Sequence, residues 1–296
     1  MDRPLRIGTR GSPLALAQAR MVATALRDAH GWAEAMVDIV PITTTGDRIQ
    51  DRPLAEVGGK ALWTKELDRC LVEGRTDLSV HSMKDVETIR PAALVIAAML
   101  PRADPRDRLI GAESLASLPA SACVGTSSPR RRAQLLARRP DLRIVTLRGN
   151  VQTRLAKLGA GEVDATLLAA AGLDRIGLHE VGRLIEDMVP APSQGAIGIE
   201  VLADDARVRS LVAAIDHQAT HACVGAERAF LAAIGGDCRS AVAAHARLDG
   251  DRLRLTAEIL APDGSEVQAG EGETPAELAR RLLTQASPAL RAMFGH

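Results

Sequence analysis

The chain has 296 residues, 46% of them hydrophobic, which is enough for two or three domains with substantial cores. Its 37 basic and 37 acidic side chains cancel, so no overall field draws nucleic acid or an anionic membrane, and any anion site must come from a local cluster. Two Trp, two Phe and no Tyr leave few platforms for stacking bases, and the core must be aliphatic.

In chain order, Met1-Asp2-Arg3-Pro4-Leu5-Arg6 has no signal-peptide pattern, and a cytoplasmic location is expected. Leu5-Arg6-Ile7-Gly8 reads as a first strand. Ser12 as N-cap and Pro13 at the first helical position open an amphipathic helix over 14–29, which Gly31 ends. A strand over 37–42 runs into a Gly-, Pro- and charge-rich loop, and Thr45 to Gly59 has the length of a functional lid. A helix over about 64–73, stopped by Gly74, leads to the alternating run Asp77-Leu78-Ser79-Val80-His81-Ser82, which ends in Met83-Lys84-Asp85. Open α/β sheets bind ligands outside the carboxyl ends of their strands, so Lys84 and Asp85 stand where a substrate would lie. Only four of the 37 basic residues are lysines, which singles out Lys84. His81, Ser82 and Asp85 resemble a catalytic triad in print, but strand neighbours point to opposite faces, so that reading is rejected.

The apolar run Ala92 to Leu100 is too short to span a bilayer, and no membrane contact is expected. Pro101 to Pro105 reads as a crossing between domains. Beyond it, Val124-Gly125-Thr126-Ser127-Ser128-Pro129 repeats the pattern of Gly8-Thr9 and Ser12-Pro13, with Gln18 and Gln134 in matching helices. Gly161 to Ala165 likewise echoes Gly74 to Leu78. Two similar α/β domains are implied, each presenting a helix N-terminus, a natural anion site, at a strand edge. Arg130, Arg131 and Arg132 fall in the first turn of the second such helix, where cations oppose the dipole. An anionic ligand explains them, and Arg148, Arg154 and Arg175 add planar forks suited to several carboxylates. Neither phosphate-loop pattern, G-x-x-x-x-G-K-[ST] nor G-x-G-x-x-G, occurs.

A second Pro-rich crossing, Pro190 to Gly195, precedes a strand over 196–201, so the two domains form a hinged clamp. From His217 the texture changes to a helix over 222–234, the Gly235-Gly236-Asp237-Cys238 loop, hairpin strands turned at Gly250 and Gly264, and a last helix opened by Thr274-Pro275. The four cysteines show no C-x-x-C spacing, and Cys238 alone stands on a Gly-rich loop. His217 and His221 at i and i+4 beside Cys223 have metal-ligand spacing but no fourth ligand; they read as surface or capping residues, and no metal is expected. The expected architecture is two duplicated periplasmic-binding-protein-like α/β domains with a hinged cleft plus a small C-terminal α+β domain. Residues 1–100 with 196–216 form the first, 105–191 the second and 217–296 the third. That description also suits a non-catalytic two-domain solute-binding protein for a polycarboxylate.

Six segments discriminate between these readings. Arg6 to Leu16, Gly59 to Leu67, Val80 to Val86, Gly125 to Ser128, Leu147 to Leu155 and Cys238 on its glycine loop resemble, in order and over essentially the whole chain, the hydroxymethylbilane synthase (porphobilinogen deaminase) family. The resemblance implies a monomeric transferase of tetrapyrrole biosynthesis that joins four porphobilinogen units head to tail, releases ammonia at each and frees the linear tetrapyrrole by hydrolysis. It implies a dipyrromethane cofactor held by a thioether to Cys238. By similarity Lys84, Ser128, Arg130, Arg131, Arg148 and Arg154 grip the cofactor, Arg10, Ser12, Gln18 and Arg175 receive the substrate, and Asp85 is catalytic. Four departures from the family pattern stand out: Trp63 in place of Phe, Glu87 where proline or a small residue is usual, Ala241 without a proline after the cysteine, and Pro192-Ser193 where a glycine is common.

Overall fold

The computed structural model describes residues 3–44, 64–237 and 239–294, so the expected lid at Thr45 to Gly59, Trp63 and Cys238 lie outside the described residues. The chain opens with β1 (Leu5–Arg10), α1 (Pro13–His30), β2 (Val37–Ile42), α2 (Lys65–Val72), β3 (Leu78–Ser82) and β4 (Leu94–Met99). After the first crossing come β5 (Asp107–Ile110), β6 (Cys123–Gly125), α3 (Pro129–Arg138), β7 (Arg143–Val145), α4 (Val151–Gly159), β8 (Ala165–Ala169), α5 (Ala170–Asp174) and β9 (Arg183–Ile185). The second crossing leads to β10 (Ile197–Leu202), α6 (Ala206–Ala213) and α7 (Gln218–Ala233). The chain then forms β11 (Val242–Asp249), β12 (Arg252–Leu260), β13 (Val267–Gly272), α8 (Pro275–Gln285) and α9 (Pro288–Ala292). These elements divide into two compact units, Met1–Ala103 with Ala196–His221 and Asp104–Gly195 with Ala222–His296.

The first sheet has the order β2-β1-β3-β10-β4, and the second the order β7-β6-β8-β5-β9. In each, three strands joined by helices run parallel, as crossover connections require, and the fourth in spatial order is antiparallel to its neighbours. That antiparallel strand is the one that follows a crossing, β10 in the first sheet and β5 in the second. The repeat read from Gly-Thr and Ser-Pro is therefore a repeat of topology, with α1 after β1 and α3 after β6. Ser12 Oγ accepts the Ala15 N–H and Ser128 Oγ the Arg131 N–H, each at 3.3 Å, satisfying a helix end that has no intrahelical acceptor. Gly31 ends α1 at φ 64°, a left-handed conformation that glycine adopts without steric cost.

Aliphatic strands covered by helices supply the stability. Ile7, Leu78, Val80, Ile197 and Ile199 meet Val22 and Leu26 of α1 in one core, and Leu109, Val124 and Leu167 meet Leu135 of α3 in another. Each such side chain contributes about 1.5–3 kcal/mol on burial. The third sheet, β11-β12-β13, is an antiparallel meander turned at Gly250 and Gly264, and Phe230, Leu278 and Leu282 of its helices, with Phe294 just after the last one, cover it. It packs on α3: Ala241 and Leu260 contact Ala133, and at Gly264 (φ 74°) an added Cβ would lie 2.3 Å from the Ala137 backbone nitrogen. Ala241, the departure without proline, is thus a buried packing residue.

α7 starts four residues before the expected Ala222, because His217 caps it: its Nδ1 accepts the Thr220 N–H at 3.2 Å and lies 2.8 Å from the Thr220 hydroxyl. Histidine is outside the usual cap set, which hid the boundary. His221 pairs with Asp216 at 2.9 Å. Among the described residues no helix is long and apolar enough to cross a membrane.

Candidate active site

In the first unit, β1 and β3 are adjacent and parallel, so Arg10 and Ser82 end side by side at one edge. A cavity of ≈ 60 Å³ opens there, lined by Arg10, Ser12, Gln18, Ser82 and Asp85 among others. Gln18 is buried on α1 and its amide exchanges hydrogen bonds with the Ser82 hydroxyl at 2.8 and 3.0 Å. Lys84 and Asp85 sit in a 3₁₀ turn, Met83–Asp85, that follows β3 directly. Both are half-buried, and the Asp85 carboxylate has no hydrogen-bond or ion-pair partner among the described residues. A charged group held at a strand tip without a protein partner is available to a ligand. His81 also lines this cavity, but its Nε2 lies 3.0 Å from Glu200 Oε2, while Ser82 turns to Gln18. The alternation of side chains along a strand therefore separates His81 from Ser82, as expected.

In the second unit, α3 and α4 begin at the C-terminal ends of β6 and β7, which are neighbours. Ser128 caps α3, and Asn150 Oδ1 caps α4 by accepting the Thr153 N–H at 2.9 Å. Ser128, Arg130 and Arg131 stand at the first helix start, and Arg148 and Arg154 beside the second. Arg154 Nε donates to the Gly149 carbonyl at 3.0 Å. Arg175 follows α5, and its Nη2 donates to the Gly195 carbonyl at 2.6 Å. Burial pushes the Arg175 guanidinium down to about 10, against the nearby charge of Asp174.

For Arg130 and Arg131 the sequence-based explanation needs correcting. An external anion was expected to account for cations in the first turn, but the anion they meet is Asp107 at the start of β5. Arg130 Nη2 is 2.7 Å from Asp107 Oδ2, Arg131 Nη2 is 2.7 Å from Asp107 Oδ1, and all three side chains are buried. Arg130 Nη1 also bonds Gln134 at 2.8 Å and the Val189 carbonyl at 3.1 Å, while Arg131 Nη1 bonds the Leu167 carbonyl at 2.8 Å. Burial alone would raise the Asp107 carboxyl, but the two guanidinium charges and their hydrogen bonds hold it well below the usual carboxylate range. Gln194 in the second crossing donates to Asp107 Oδ1 at 2.8 Å and to the Pro105 carbonyl at 2.6 Å, so one amide ties both crossing segments together. Sequence reasoning missed Asp107. The available signal was an acid opening an otherwise apolar strand, which must be paired if that strand is buried.

Cys238 lies outside the described residues, and Asp237 and Ser240 on either side of it are hydrogen-bonded to each other. Asp237 N–H donates to Ser240 Oγ at 3.1 Å, and Ser240 N–H returns to the Asp237 carbonyl at 3.0 Å. The other three thiols are buried, and burial pushes that of Cys70 up, which suits packing rather than reaction.

The family model described as "Porphobilinogen deaminase, dipyromethane cofactor binding domain" matches residues 5–210, and "Porphobilinogen deaminase, C-terminal domain" matches residues 221–287. The porphobilinogen deaminase of Sphingopyxis alaskensis is 59% identical, covering 99% of this chain and 97% of its own length. That of Paracoccus denitrificans is 53% identical, covering 98% and 94%. Among solved structures, a methionine binding protein is similar at 16% identity over 71% of this chain and 89% of its own, with a TM-score of 0.44. A likeness that low carries no argument, and the fold rests on the sheet topologies described above.

Proposed function

We infer the roles of individual residues from one premise: the chain belongs to the porphobilinogen deaminase family, whose two domain models match it from residue 5 to residue 287 with a short gap. It is a transferase of tetrapyrrole biosynthesis that condenses four porphobilinogen molecules stepwise onto a dipyrromethane primer, releases ammonia and yields hydroxymethylbilane. The observation that carries the residue assignment is Asp85, a carboxylate at the tip of β3 with no partner among the described residues, sharing a cavity with Arg10, Ser12 and Gln18.

The side chains of the second unit fit a cofactor bearing several carboxylates. That unit carries two helix N-termini, with Arg130 and Arg131 in the first turn of one, Arg148 and Arg154 beside the other and Arg175 after α5, and Asp107 neutralises only one charge of the Arg130–Arg131 pair. The buried Nε donors of Arg131 and Arg175 find no acceptor among the described residues, and a carboxylate-rich ligand supplies acceptors. When bound, the cofactor supplies the ring from which the product chain grows. Lys84, Ser128, Arg130, Arg131, Arg148 and Arg154 hold it by their charge and N–H or O–H donors, and Cys238 anchors it. Arg10, Ser12, Gln18 and Arg175 take the acetate and propionate of incoming porphobilinogen. Loss of ammonia leaves that substrate electron-poor, and positive charge develops on pyrrole nitrogen. The Asp85 carboxylate accepts the pyrrole N–H and stabilises that charge from a position fixed before reaction. A monomeric, cytoplasmic protein that binds neither nucleic acid nor membrane belongs to the same proposal.

Intact mass tests the anchor and separates an enzyme from a solute receptor, which needs no covalent pyrrole. The purified wild-type protein should exceed the mass of its chain by one dipyrromethane, and Cys238→Ser should not. Substituting Cys70, Cys123 or Cys223 should leave the adduct in place. An active wild-type protein of unmodified mass would remove Cys238 from the proposal.

A further inference from the structure

Two side chains that bracket the Met83–Asp85 turn converge on one buried carboxylate. Glu200, on β10, is wholly buried, and the site chemistry just described makes no use of it. His81, just before the turn, lies 3.0 Å from its Oε2. Arg90, beyond the turn, donates from Nε to its Oε1 at 2.7 Å and from Nη2 to its Oε2 at 3.0 Å. Arg90 Nη2 also reaches Asp68 of α2 at 2.5 Å, and its Nη1 bonds Glu87. The Glu87 carboxylate in turn accepts the Thr64 hydroxyl at 2.9 and 3.0 Å. Burial alone would raise the Glu200 carboxyl; the hydrogen bonds and charges of His81 and Arg90 override it and hold it at about 2, so it is ionised at neutral pH.

The first residue of the turn is fixed to the same strand and to the residue that precedes it. Met83 N–H donates to the Ala196 carbonyl at 3.1 Å, and the buried Met83 side chain occupies the space over Gly198, where an added Cβ would come within 2.1 Å of its Sδ. Gly198 is the register partner of His81. The span from His81 to Arg90, which carries both Lys84 and Asp85, is therefore held at each end by Glu200 and, at Met83, by Gly198.

We propose that Glu200 is a positioning residue: by clamping His81 and Arg90 it sets where the Asp85 carboxylate stands relative to Arg10 and Gln18, with Gly198 setting the depth of the turn through Met83. The proposal rests on the reading of Asp85 as the charge-stabilising group. Misplacing a reacting group by an ångström costs on the order of 100-fold, so a loosened clamp costs about tenfold in kcat. Substrate affinity is set by other side chains and stays within about twofold.

The test uses holoenzyme whose cofactor content is verified by mass, assayed well below the melting temperature of each variant. Glu200→Gln, which keeps the volume and removes the charge, should lower kcat about tenfold with little change in KM. Gly198→Ala, which changes no charge, should do the same by pushing on Met83, and Met83→Ala in that background should recover part of the rate. A folded, loaded Glu200→Gln at wild-type kcat overturns the proposal, and so does a loss in KM rather than kcat. Asp85→Asn is measured in the same series. If that variant turns over normally, the reading of Asp85 has failed; if it collapses while Glu200→Gln does not, the clamp has failed.

Discussion

Asp85→Asn is expected to fold, to bind porphobilinogen with near wild-type affinity and to lose turnover by on the order of 100-fold or more, the usual consequence of deleting one preorganised stabilising group. Asparagine keeps the size and one acceptor oxygen of aspartate. Because the Asp85 carboxylate has no hydrogen-bond or ion-pair partner among the described residues, the change leaves no protein group orphaned and costs little stability. What disappears is the negative charge that answers the charge growing on pyrrole nitrogen. Glutamate keeps the charge but moves it by about one methylene, so Asp85→Glu should retain more activity than asparagine while falling well short of wild type. Successive enzyme-substrate adducts, followed by mass in single-turnover experiments, separate binding from chemistry. Adducts forming in Asp85→Asn at the wild-type rate would falsify charge stabilisation by this carboxylate.

The sequence carried the parts of this molecule that local chemistry dictates. Ser12-Pro13 and Ser128-Pro129 announce helix starts because a hydroxyl cap and a proline at the first helical position satisfy the same end of a helix. The alternation across His81-Ser82 assigned opposite faces correctly because a strand has a period of two. The repeated Gly-Thr and Ser-Pro signals predicted two like domains, but not that each sheet takes its antiparallel strand from the segment after a crossing. That pairing joins residues far apart in sequence, Ile199 with Val80 in the first sheet and Asp107 with Ala169 in the second, and no local pattern encodes it. The hidden features of the site have the same origin. Asp107 and Glu200 are acids on apolar strands whose partners, Arg130, Arg131, His81 and Arg90, come from distant segments, so their pairing became visible only once the sheets were assembled. Ser193 shows a further limit: it stands where glycine is common and adopts the left-handed φ of 66°, with its N–H held by the buried Glu227 at 2.6 Å. A tertiary hydrogen bond there sustains a conformation that residue preference disfavours by about 1–2 kcal/mol.

The geometry at Asp107 changes what arginine substitutions should do. If Arg130 and Arg131 were exposed cofactor ligands, leucine at either position would leave a stable protein that merely fails to load. They are buried on one carboxylate, so Arg130→Leu or Arg131→Leu leaves Asp107 paired with a single guanidinium and one of its oxygens without its charge-assisted hydrogen bond, a loss of about 1.5–3 kcal/mol. For a unit of this size that is a lowering of the melting temperature by on the order of 10 °C, together with loss of cofactor. Leucine at Arg138 or Arg139, which pair with the exposed Asp187 and Asp141, should cost no more than about 1 kcal/mol. Asp107 also gives the fold an acid limb. Its folded-state pKa lies below that of an unfolded aspartate, about 3.9, so its contribution is complete above that value and is lost as pH falls below it towards the folded-state value. In Asp107→Asn this limb should shrink, while the two guanidinium groups, left without their anion, lower stability at neutral pH. Thermal melts of the five variants and the wild type from pH 7 down to about pH 3 read both effects. Equal melting temperatures for the leucine variants at 130, 131, 138 and 139 would show that the Asp107 trio contributes nothing beyond an ordinary surface pair.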